Sequence, residues 1–131
     1  MSDDTATGFD GVDDAADADA ADASEAAADT EGGGTDDPEA VLDSLFATIK
    51  QRQAELPEDS YTASLFTHEK GENEVLEKLG EEATEVILAA KDDDFDDLQY
   101  ESADFVYHLL VLFAMKDLTV DDLRDELESR F

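Results

Sequence analysis

From Val41 onward the large apolar residues recur at the spacing of helix faces, and four stretches carry the pattern. Val41, Leu42, Leu45, Phe46 and Ile49 form one stripe. Its helix should begin at Pro38, with Asp37 as N-cap, proline at the first helical position and Glu39 near the positive end of the helix dipole. Leu56-Pro57 ends it. Residues 58–71 then form a connector holding the hydroxyl-rich block Ser60-Tyr61-Thr62-Ala63-Ser64-Leu65-Phe66, with room for a short helical turn. A second helix is predicted from about Glu72 to Lys91, with Val75, Leu76, Leu79, Ala83, Val86, Ile87 and Ala90 on one face. Asp92-Asp93-Asp94 breaks it and caps the next. The third, from about Phe95 to Met115, carries Leu98, Phe105, Val106, Leu109, Leu110, Leu112 and Phe113, and its second half is apolar nearly all round, as in helices that are buried. The fourth has Thr119 as N-cap, Asp122 at the capping-box position, Leu118 and Leu123 placed as a hydrophobic staple, and a stripe of Leu123, Leu127 and Phe131. No segment alternates with period two, so the predicted fold is all-α and four-helix-bundle-like, without internal repeats.

Charge divides the 131-residue chain in two. Residues 1–37 hold 13 of its 38 acidic side chains and no Lys or Arg, and only Phe9 and Val12 are sizeable apolar groups after Met1. That segment cannot bury enough surface to offset its ordering entropy and is expected to be a disordered acidic tail. Residues 38–131 keep the other 25 acids and all 8 bases, a net charge of −17 within a total of −30, and are expected to form the folded domain. Acid excess in both parts resembles the proteins of halophilic organisms, which makes any single run of Asp and Glu weak evidence for a site. A chain this negative is not expected to bind nucleic acid through phosphate contacts. It has no cysteine, so disulfides and thiolate chemistry are excluded. The apolar run Leu109 to Met115 is far short of a membrane span and the first ten residues lack signal-peptide character, so a cytoplasmic protein without membrane attachment is expected.

Against that background one constellation is informative. On the second helix Lys78, Glu81, Glu82 and Glu85 lie at offsets of three, four and seven, and at about 100° per residue they share one arc. On the third, Glu101, Asp104 and His108 lie at offsets of three and seven. The glutamates of the second helix could equally face water. The acidic stripe of the third runs along an otherwise apolar helix, where an unpartnered carboxylate is expensive. If Lys91 to Asp94 joins the two as an antiparallel hairpin, the arcs can face each other and offer four or five carboxylates to a hard cation, with Mg²⁺ favoured over zinc by a donor set lacking thiolate. Other sites fail on spacing. Asp92, Asp94 and Asp96 imitate an EF-hand opening, but Asp97 stands where glycine is needed and Ala103 where the bidentate glutamate belongs. His68 reads as a loop histidine, and no Ser-His-Asp arrangement or glycine-rich phosphate loop is evident.

Lys78-Leu79-Gly80-Glu81-Glu82-Ala83-Thr84-Glu85, followed by Glu101-Ser102-Ala103-Asp104-Phe105-Val106-Tyr107-His108-Leu109-Leu110, resembles the phosphoribosyl-ATP pyrophosphohydrolases of histidine biosynthesis. These belong to the all-α, MazG-like nucleotide pyrophosphohydrolases, whose shared signature is E-x-x-D after E-E-x-x-E. The Ser60 to Phe66 block looks like the start of this family and sets it apart from its broader relatives. The resemblance covers about residues 38–131. It implies that Glu82, Glu85, Glu101 and Asp104 ligate Mg²⁺, with Glu81 completing a second metal site or orienting water. It also implies hydrolysis of phosphoribosyl-ATP to phosphoribosyl-AMP and pyrophosphate by a homodimer with sites near the subunit interface. Lys78 is placed to meet a phosphate. Ser60, Tyr61, Thr62 and Ser64 are candidates for the ribose and phosphate groups, and Tyr107 and His108 for substrate contact or support of the metal-bearing side chains. The rival expectations are a general nucleoside triphosphate pyrophosphatase, a divalent-cation buffer, and a non-catalytic acidic helical module for a basic partner.

Overall fold

The computed structural model describes residues 36–131, and among these there are helices and turns but no strand. The expected tail, residues 1–37, therefore lies outside the described residues except for its last two. A 3₁₀ turn, Pro38–Ala40, leads into α1 (Val41–Glu55), followed by α2 (Tyr61–Phe66), α3 (Glu72–Lys91), α4 (Phe95–Met115) and α5 (Val120–Arg130). The four predicted helices are present, and the hydroxyl-rich connector adds α2 as a fifth. No described helix is long and apolar enough to cross a membrane.

Local chemistry sets the boundaries. Asp37 accepts from the Glu39 N–H and opens the 3₁₀ turn. α1 stops where Leu56 turns left-handed at φ 49°, with its N–H on the Arg52 carbonyl, and Pro57 follows. Between α3 and α4 the reversal takes three residues. Asp93 adopts φ 55°, a conformation that Asp tolerates better than most, and Asp94 caps α4 by accepting from the Asp97 N–H at 3.1 Å. Thr119 and Asp122 form the expected capping box on α5, at 3.1 and 2.9 Å.

The tight reversal lays α3 and α4 antiparallel, and theirs is the dominant contact in the fold. Antiparallel pairing sets the first half of α3 against the second half of α4, and there the hydrophobic core forms. Val75 meets Tyr107, Leu110, Val111 and Ala114, joined by Ile49 of α1, Leu65 of α2 and Val120 of α5. The other end of the same hairpin is acidic. Gln53 donates to the Ala114 carbonyl at 3.3 Å, pinning α1 to α4, and Arg124 pairs with Asp43 at 2.9 Å, tying α5 to α1.

Several apolar stripes turn out only partly covered. On α1, Ile49 is buried while Val41 and Leu42 are exposed. On α3, Val75 is buried and Leu79 packs on the core, yet Leu76 and Ile87 face out, because the inward line through the lower half of α3 is taken by Glu82 and Ala89. On α5, only Val120 is buried; Leu127 is exposed, and so is Phe131 just beyond the helix end.

Two hydroxyls hold α2, one by capping it and one by docking it. Its N-cap Ser60 accepts from the Ala63 N–H at 3.0 Å, and the buried Thr62 Oγ1 meets Tyr107 Oη at 2.6 Å. Tyr107→Phe should cost about 1–3 kcal/mol by taking this bond from a hydroxyl that water does not reach, and adding Thr62→Val should recover part of the loss. Chemical denaturation of the two single variants and the double variant checks this; additive losses would mean that the bond is not what holds α2.

Candidate metal centre

The acidic half of the hairpin brings both predicted arcs onto one interior seam. Glu82 has no exposed surface, and Glu101 and Asp104 are each 4% exposed. His108, one turn beyond Asp104, is fully buried, with Nδ1 2.9 Å from Glu82 Oε2, 3.5 Å from Asp104 Oδ1 and 3.1 Å from the Asp104 carbonyl oxygen. Donor atoms of Glu82, Asp104 and His108 all lie within 4.8 Å of one another. Glu85 is half-buried next along α3, and Glu81 sits half-exposed at the rim. Lys78 is only 12% exposed and its Nζ is 3.8 Å from Glu81 Oε2, so the one base of this arc leans toward the acids.

The electrostatics are those of crowded carboxylates. Burial, reinforced by Asp97, Asp104 and Glu85, pushes the Glu101 carboxyl up from 4.5 to about 7. Burial raises Glu85 as well, helped by Asp97 and Glu81. The Tyr100 phenol is raised by burial and by the negative charges of Asp104, Glu101 and Asp97. Glu101 Oε2 is buried and makes no hydrogen bond among the described residues. A buried carboxylate oxygen of this kind, among others of its own charge, fits a hard divalent cation, and a donor set of carboxylate oxygens fits Mg²⁺ better than a thiophilic metal.

The remaining candidates separate. Tyr61 and Thr62 reach α4: Tyr61 Oη lies 3.3 Å from His108 Nε2, and Thr62 is bonded to Tyr107. The Tyr61 and Tyr107 rings stack with centroids 6.5 Å apart, and Tyr107 meets the His108 ring edge-on at 4.8 Å. Ser60 and Ser64 instead serve the backbone of α2: Ser60 as its buried cap, and the exposed Ser64 by donating to the Tyr61 carbonyl. His68 is a loop residue whose Nδ1 accepts from the Lys70 N–H. Asp97, which lies outside the predicted site, joins the acidic group. It acts on both Glu85 and Glu101 and extends the α4 line to 97, 101, 104 and 108. The signal was the offset of four between Asp97 and Glu101, hidden in a segment whose residues 92–97 hold four other aspartates.

The scaffold and its seam define an all-α protein with an interhelical carboxylate centre. A family model described as phosphoribosyl-ATP pyrophosphohydrolase matches residues 42–131, and the chain belongs to this family. It is 70% identical over 96 residues to a phosphoribosyl-ATP pyrophosphatase of Haloarcula marismortui, covering 73% of this chain and 98% of the relative. A protein of the same name from Haloquadratum walsbyi is 63% identical over 98 residues, with 73% and 98% covered. A histidine biosynthesis bifunctional protein of Caldanaerobacter subterraneus is 45% identical over 97 residues, 74% of this chain and 46% of that longer protein.

The raised Glu101 has a thermodynamic consequence. Its folded form holds the proton more tightly than the unfolded chain does, so ionisation between 4.5 and about 7 costs the fold stability as pH rises. In chelator and high salt, Glu101→Gln should melt close to the parent protein at pH 5 and above it at pH 8. A difference in melting temperature that stays constant with pH would contradict the raised carboxyl.

Proposed function

We propose that this chain hydrolyses phosphoribosyl-ATP to phosphoribosyl-AMP and pyrophosphate in the cytoplasmic pathway of histidine biosynthesis, with Mg²⁺ held by Glu82, Glu85, Glu101 and Asp104. The observation that carries the metal assignment is the buried, unbonded Glu101 Oε2 on a seam shared with three other carboxylates from two helices. Membership of the family supports the substrate. When bound, Mg²⁺ supplies charge neutralisation for the triphosphate, polarisation of a phosphoryl oxygen and a more acidic water.

The chain's own groups set geometry. Four carboxylates fixed on two packed helices keep the ligand positions apart by helix spacing rather than by loop conformation, so little reorganisation is needed when substrate arrives. Glu81, at the rim, completes a second cation position or orients the attacking water. Lys78, drawn toward Glu81, meets the β- or γ-phosphate as a point charge and offsets the repulsion that an acidic site would otherwise exert on a polyphosphate. Tyr61, at the start of α2 and 3.3 Å from His108 Nε2, is a candidate to meet the ribose or phosphate groups.

Leu76, Ile87 and Phe95 of the hairpin are each exposed, Ile87 and Phe95 at 61% and 70%, and a homodimer that covers them is part of the proposal. Light scattering at high salt should give twice the chain mass; a monomer would remove the dimer while leaving the chemistry standing.

For the reaction itself, pyrophosphate release from phosphoribosyl-ATP should require Mg²⁺, stop with chelator, and exceed release from ATP, dCTP and dUTP. Glu82→Gln and Asp104→Asn should each lower turnover by about 100-fold or more with helical content retained. Equal turnover of the plain nucleotides would point to a general pyrophosphatase. Full activity in both variants would remove the carboxylate seam from the chemistry.

A further inference from the structure

His108 is the imidazole of the seam, and its surroundings bear on which ring nitrogen carries hydrogen. Three acceptor oxygens converge on Nδ1: the Asp104 carbonyl at 3.1 Å, Glu82 Oε2 at 2.9 Å and Asp104 Oδ1 at 3.5 Å. A lone pair on Nδ1 would face all three oxygens, so the geometry favours hydrogen on this nitrogen, which then donates to the carboxylates instead of serving as a ligand beside them. On the far edge of the ring, Nε2 lies 3.3 Å from the Tyr61 hydroxyl, which can donate to it and so stabilise the same tautomer. The ring has no exposed surface and is held edge-on by Tyr107, so its orientation is set by packing.

We propose that His108 is a positioning residue whose Nδ1–H bridges α4 to Glu82 on α3, holding the Glu82 and Asp104 carboxylates in the conformation that receives the cation, with Tyr61 of α2 fixing the tautomer from behind. The buried Glu82 side chain has three χ angles to be set. An N–H donor 2.9 Å from its oxygen restricts those angles before any ion arrives and reduces the repulsion between Glu82 and Asp104. The path Tyr61–His108–Glu82 also joins the hydroxyl-rich helix to the acidic seam, so that both respond to the same ring. This inference rests on the cation reading given above.

The two amide isosteres of histidine separate this role from simple space filling. The asparagine amide can place its nitrogen where Nδ1 lies, whereas glutamine reaches the Nε2 position and offers nothing at Nδ1. Mg²⁺ binding to the full chain, measured by calorimetry at high salt without substrate, should weaken about 10- to 100-fold in His108→Gln and stay within about threefold of the parent in His108→Asn. A role in packing alone predicts the opposite ranking, because glutamine is closer to histidine in volume, and that ranking, or equal losses, would overturn the proposal. Should either variant fail to fold, Tyr61→Phe gives the test from the other edge of the ring. It should weaken Mg²⁺ roughly threefold, and an unchanged affinity there would likewise overturn the assignment. Absence of Mg²⁺ binding in the unaltered protein would sink the metal centre itself, which is a different failure.

Discussion

The structure turns on the mutual repulsion of carboxylates held together inside a helical hairpin. Glu82, Glu101 and Asp104 are buried on one seam, and Glu85 and Asp97 add to the negative potential there. Fixed like charges in a low-dielectric setting oppose folding, and burial drives Glu101 toward its protonated form. The hydrophobic half of the same hairpin must carry that cost. Val75, Leu110, Val111 and Ala114 clamp α3 to α4 at one end, and because the helices are stiff, the acidic end is held closed as well.

This division of labour explains the placement of the other helices. α1, α2 and α5 all contribute to the apolar cluster, through Ile49, Leu65 and Val120. α2 alone also reaches toward the acids, by way of Tyr61. Its six residues are too few for a helix that is stable by itself. It persists because Ser60 caps it and because Thr62 and Leu65 bind it to the body.

Much of this was legible from residue order. α3 and α4 end where caps and aspartate clusters say they should, since those signals are local and the backbone obeys them directly. The pairing of Glu82 with Asp104 followed from helical phase plus one assumption, a short antiparallel turn. What escaped were properties that depend on neighbours. The connector's expected helical turn is there as Tyr61–Phe66, but its docking through Thr62 and Leu65 depends on tertiary contacts that no local pattern records. Asp97 joins the acids through its position on the turn after Asp94, and in a chain with 38 acids its charge alone did not single it out. The apolar stripes of α3 and α5 marked faces suited to burial without saying whether this chain covers them, and Leu76, Ile87 and Leu127 show that it does not.

The Asp92–Asp94 reversal carries an implication beyond connectivity. It is so short, with Asp93 alone left-handed, that it fixes the rotational phase of α4 against α3. With that phase fixed, one residue added within α4 ahead of Glu101 would turn Glu101 and Asp104 by about 100° away from Glu82. Lengthening the connector before α3 should therefore cost little, whereas the residue count from the hairpin tip to Glu101 is constrained by the same geometry that places the acids.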